Sequence, residues 1–276
     1  MSTHSPILVD EAKYGETVLV RNHRFFAPSH VSDETRAAIN TALLAGHGAE
    51  MAFASSVLLV EGGGDRAYYE VLRRRLARVS GDGRLDHLAI VPVGSKSAFA
   101  PWVQMLTNYG IEGDRPIRWL IAADGDAATQ VRQAYGHAGI RLPASVRSAL
   151  FAAANARNDP DQTAFVAATE LANRRARAER VWIHLSPIDL EHTALTDCSD
   201  DRAAELAGEL GLVATNRAEL EVALRNRKAA YRRADLAERL AWTEVSADTK
   251  RVLRTWFRTV MSETDARRIV SDGDSS

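Results

Sequence analysis

The chain has 276 residues, enough for one or two domains that each bury a core. Its 46% hydrophobic and 26% charged content is that of a globular protein, and a net charge of -1 excludes the global basic field that would announce nucleic acid. The single cysteine, Cys198, excludes an internal disulfide framework, and no apolar run approaches the roughly 18–20 residues of a membrane helix. The opening "MSTHSPILVD" lacks the basic and long apolar regions of a signal peptide, so the expected location is the cytoplasm.

Up to about Ser55 the pattern is irregular, with a short strand at Thr17–Arg21 and a helix at Ser32–Gly46 begun by Ser32 or Asp33. A strand–helix rhythm then sets in. "SVLLV" (Ser56–Val60) reads as a buried strand, followed by a helix from Asp65 to about Val79 and a turn at Gly81–Arg84. A second strand is expected at Leu88–Val93, a helix at Ser97–Gly110 and a third strand at Ile117–Ala123. This alternation predicts an α/β fold with a mostly parallel sheet flanked by helices. Ala127–Arg180 contains no convincing strand, and "NDPDQ" (Asn158–Gln162) reads as a turn between helices. "VWIHLS" (Val181–Ser186) returns to a strand, so residues 127–180 are expected as a helical insertion between two strands of one sheet. From about Ser199 the chain reads helical, and 271–276 is expected as a disordered tail.

The chemistry concentrates at the strand ends. Glu61 follows the first strand of this sheet, Asp65 begins the next helix, and Asp124 and Asp126 end the third strand as "DGD". Ligands of an open α/β sheet bind beyond the carboxyl ends of its strands, where these four carboxylates can converge. So placed they repel one another unless protonated or bridged by cations, and hard divalent ions take oxygen ligands. Taken singly, each has a plainer explanation, with Asp65 as a helix cap and "DGD" as a turn.

Glu61-Gly62-Gly63-Gly64-Asp65 after a strand, with Asp124-Gly125-Asp126 after a later one, resembles the Toprim domain of topoisomerases, DnaG-type primases and several nucleases. The longer stretch "FASSVLLVEGGGDRAYYEVL" is most similar to the OLD (overcoming lysogenization defect) family nucleases, over about Phe53 to Glu191. The resemblance implies a Toprim catalytic domain at 53–126 and 181–198, the helical insertion at 127–180 and helical C-terminal elements at 199–270. It also implies an endonuclease or nickase that cleaves DNA with two divalent ions, Mg²⁺ or Mn²⁺. The implied ligands are Glu61, Asp65, Asp124, Asp126 and Glu191, with Asp189 beside the last. Asp189 and Glu191 share a face if "IDLEHTAL" is extended; a helix capped by Asp189 is the alternative. Ser2–Asp10 resembles the histidine-switch segment at the end of an ABC-type ATPase core, with His4 as the histidine, so 1–52 is expected to join the nuclease to an ATPase region absent from this chain. A role in phage defence is carried by the resemblance alone.

The basic side is less specific. Asn173–Arg180 and Leu224–Arg233 are arginine-rich, and Arg225, Arg227, Arg232 and Arg233 are the candidates for DNA contact. The family's active-site lysine maps most simply to Lys228, with Lys250 second. "VGSKSAF" fails as a Walker A loop because Ile90 and Ser95 stand where glycines belong, and Lys96 reads as an exposed turn residue. His184 reads as a core histidine and Cys198 as a small buried or half-buried residue. Two other readings stay open: a non-catalytic DNA-binding or assembly module with a structural ion, and a haloacid-dehalogenase-like phosphatase suggested by "DGDAAT". Self-association is left open, and no membrane partner is expected.

Overall fold

A computed structural model of the chain describes residues 13–16, 18–21, 24–28, 30–44, 47–108, 117–157, 162–226 and 231–273. Ahead of the main sheet lie a small antiparallel hairpin, β1 (Leu19–Arg21) and β2 (Arg24–Phe26), and two helices, α1 (Asp33–Leu43) and α2 (Gly48–Phe53). Of these, the sequence pattern marks β1 and α1 but neither β2 nor α2. Both are too short to show a period.

The main sheet has four parallel strands, β3 (Ser56–Val60), β4 (Leu88–Pro92), β5 (Arg118–Asp124) and β6 (Ile183–Ser186), in the order β4-β3-β5-β6. The crossovers are α3 (Gly63–Ser80) between β3 and β4, α4 (Phe99–Asn108) between β4 and β5, and three helices between β5 and β6. These three are α5 (Ala128–His137), α6 (Ala144–Ala156) and α7 (Gln162–Ala178). After β6 come α8 (Leu190–Leu195), α9 (Asp200–Glu209), α10 (Arg217–Arg225), α11 (Arg232–Arg239), α12 (Ala247–Phe257) and α13 (Glu263–Asp272). The α/β class and the parallel sheet flanked by helices are as the sequence predicts.

Both faces of the sheet are covered, which is why its strands read as continuous apolar runs. Val57, Leu59, Val91, Ile121 and Leu185 pack into one core with α4 and α5–α7. Leu58, Val60, Ile90, Leu120 and Ala122 pack into the other with α3 and the helices after β6. Helices α5–α7 therefore cover one face of the sheet. The last strand starts at Ile183, two residues later than expected, because Val181 N–H still donates to Ala176 O at 2.8 Å. At the other end α13 runs to Asp272, inside the expected tail, because Trp242 packs over Gly273.

Side-chain caps set the starts of the later helices. Asp189, Ser199, Asn216, Ser246 and Ser262 each accept an N–H three residues on, satisfying a donor that the first turn leaves orphaned. His184 Nε2 donates to Asp248 Oδ2 at 2.8 Å inside the second core, and Cys198 is buried, both as read from the sequence.

Candidate metal centre

Parallel pairing brings the carboxyl ends of β3 and β5 side by side, with Ser56 opposite Arg118 and Leu59 opposite Ile121. Glu61 leaves the sheet one residue past β3, and Asp124 is the last residue of β5. Glu61 Oε1 accepts the backbone N–H of Asp124 at 2.9 Å, which pins the glutamate across the strand ends. Its own carbonyl accepts from Gly94 N–H at 3.0 Å, and Gly94 has φ +91°, a turn only glycine adopts freely after β4. Asp126 follows on a single 3-10 turn, Gly125–Ala127. That turn is possible because Gly125 has no side chain. A Cβ there would lie 2.9 Å from Phe165 Cζ, 2.9 Å from Ser186 O and 3.1 Å from Pro187 O.

Glu61, Asp124 and Asp126 each offer an oxygen within 4.8 Å of the others, the one group of potential metal ligands among the described residues. Burial pushes Asp124 up to about 9, with Glu61, Asp65 and Asp189 adding repulsion and Lys96 offsetting part of it. Burial likewise raises Glu61 to about 7 against the pull of Lys96 and the Asp124 N–H. Three carboxylate oxygens, two of them on groups that ionise only at a cost, are a donor set for a hard divalent cation.

A second group stands beside the first. Asp65 sits in the first turn of α3, and its Oδ2 accepts from Gly62 N–H at 2.9 Å. Glu191, 3% exposed, is in the first turn of α8. Burial raises both carboxyls, and Arg233 opposes the rise in each. Arg233 Nη1 donates to Asp65 Oδ1 at 2.9 Å while Nη2 donates to Glu191. Asp189 is not in an extended segment. It caps α8, its Oδ1 accepting from His192 N–H at 2.8 Å, while Oδ2 takes Arg225 Nε at 2.6 Å.

The basic residues differ most from the sequence reading. Arg225 and Arg233, expected to meet phosphate, meet carboxylates, because the helices after β6 fold back over the strand ends. Arg232 lies over the Tyr231 ring, 5.4 Å from its centroid. Lys96 is no free turn residue. Its Nζ pairs with Asp126 and lies 4.0 Å from Glu61 Oε2. Its signal was legible: "GSK" directly follows the strand beside β3, at the same sheet edge. Arg157 Nη2, 3.4 Å from Asp126 Oδ2, had no such signal, since it arrives from the far end of α6. Lys228, Arg227 and His4 lie outside the described residues, and Lys250 sits over the Trp242 ring.

Residues 53–126 match the family model described as "Overcoming lysogenization defect protein-like, TOPRIM domain". No curated protein matches the chain. Among solved structures it is similar to the C-terminal region of the Xanthomonas campestris pv. campestris OLD protein, at 16% identity, with 79% of this chain and 97% of that chain covered and a TM-score of 0.45. Among the described residues no helix is long and apolar enough to cross a membrane.

Proposed function

We propose, from the premise that residues 53–126 of this chain are a Toprim domain of the OLD-like family, that the chain is the metal-dependent DNA-cleaving part of an ATPase–nuclease. The observation that carries this reading is the convergence of Glu61, Asp124 and Asp126 from two adjacent strand ends, with Glu61 held by the Asp124 N–H. These three would hold a divalent ion such as Mg²⁺ or Mn²⁺. Such an ion supplies positive charge beside a scissile phosphate and acidifies a water for attack.

The chain's own residues do the rest. With their carboxyls raised by burial, Glu61 and Asp124 would give up bound protons as a cation arrives, which couples ion binding to pH. Lys96 balances Asp126 and Glu61, and its ammonium, on a side chain 32% exposed, has further N–H donors that a phosphate oxygen would meet. The ATPase partner rests on the resemblance of Ser2–Asp10 alone.

Supercoiled plasmid incubated with the chain and Mg²⁺, Mn²⁺ or EDTA tests the reading. Nicking or linearisation is expected with metal only, and Asp124→Asn should lower it at least ~100-fold by removing a ligand charge. Cutting that persists in EDTA or in Asp124→Asn would sink the proposal. A phosphatase would instead act on small phosphate esters and spare DNA.

A further inference from the structure

Beside the first carboxylate group, the place between Asp65 and Glu191 is already taken by a side chain. We propose that the Arg233 guanidinium stands permanently in that place, so that this chain binds a single divalent ion, at Glu61, Asp124 and Asp126. The role assigned to the arginine rests on the nuclease reading; the ion count does not.

The chain is built around this arginine. Gly64 lies under it: a Cβ there would fall 2.3 Å from Arg233 Nη1, 2.7 Å from Cδ and 2.9 Å from Cζ. Any other residue at 64 would push the guanidinium off its carboxylates. Helix α11, which carries Arg233, is fixed against α3. Its Leu236 and Ala237 are buried, and Arg75 of α3 donates to Ala237 O at 2.7 Å and Leu240 O at 2.8 Å, closing its C-terminus. The ligands are committed too. Asp65 spends one oxygen on Gly62 N–H and the other on Arg233, Glu191 takes the second arm of the same fork, and both oxygens of Asp189 are used by His192 N–H and Arg225.

A planar fork that bridges two carboxylates in one geometry is the arrangement arginine makes better than lysine. Evicting it would leave a cation buried without its partners, which is strongly unfavourable. The first group has no such plug. Lys96 and Arg157, the cations beside Asp126, are 32% and 51% exposed and can swing into water. Held beside a bound phosphodiester, the guanidinium would supply fixed positive charge, as preorganised electrostatic stabilisation.

Mn²⁺ stoichiometry, by calorimetric titration with spin counting of free ion, tests this without reference to cleavage. The wild-type chain should bind one Mn²⁺ and Arg233→Gln two, since the freed Asp65 and Glu191 then lack a cation. Gly64→Ala keeps the arginine but displaces its head, and should also bind two if Arg233→Gln fails to fold. Two ions bound by wild type, or one by both folded variants, overturns the inference and leaves the nuclease reading standing. No ion bound by any of the proteins overturns both.

Discussion

At Glu61 and Asp124, burial and mutual repulsion act against charge, and the sign of the consequence can be worked out. A carboxyl whose folded pKa lies above its unfolded value keeps its proton in the fold after the unfolded chain has lost it. The stability this gives is fully present below the unfolded value and is lost as pH rises through the folded one. Glu61 goes from 4.5 to about 7 and Asp124 from 3.8 to about 9. In EDTA the Tm should therefore fall steadily between about pH 4 and pH 9, and Mg²⁺ should restore progressively more of it over the same range. A metal-free Tm that is flat with pH would show that these carboxyls are already compensated. Lys96, the nearest cation, offsets only part of the burial at either residue.

Among elements, the turn from β5 into the insertion places Asp126, and its tolerance is set by one hydrogen atom. Gly125→Ala puts a methyl group against Phe165 Cζ and the Ser186 and Pro187 carbonyls. Two of these are backbone and cannot yield by rotating. Overpacking of this kind costs about 1–3 kcal/mol. A Tm lower by several degrees is expected, with Mn²⁺ affinity falling as Asp126 moves; unchanged affinity would mean that the turn does not position the ligand. The strands of the main sheet were legible because each is a bounded apolar run, and their ends located the acids. The segment Asp189–Glu191 was not, since two acids two apart suit a strand face and a helix start equally. The Asp189 cap decided it.

The whole molecule has two cores that share one sheet, so damage to either should be felt by both. Trp256 in α12 is fully buried, beside Phe257 at 5.7 Å between rings, in the core made with the helices after β6. Trp256→Ala should cost about 3–5 kcal/mol. Because Leu58 and Val57 are neighbours on opposite faces of the same strand, a single calorimetric transition should shift as a unit. A profile that split in two, with only one part displaced, would mean that the C-terminal helices fold independently of the sheet.

The sequence by itself determined the parallel sheet, the strands whose ends place Glu61 and Asp124, and the carboxylates that face one another across those ends. Those are consequences of local period and of one topological rule, and both can be read along a chain. What tertiary structure alone decided is which cation meets which acid. Arg233 reaches Asp65 across 168 residues, Lys96 reaches Asp126 across 30, and Arg225 reaches Asp189 across 36. Such pairings depend on how helices far apart in sequence pack over the strand ends. A run of arginines reads the same along the chain whether its charges face water, phosphate or buried carboxylates.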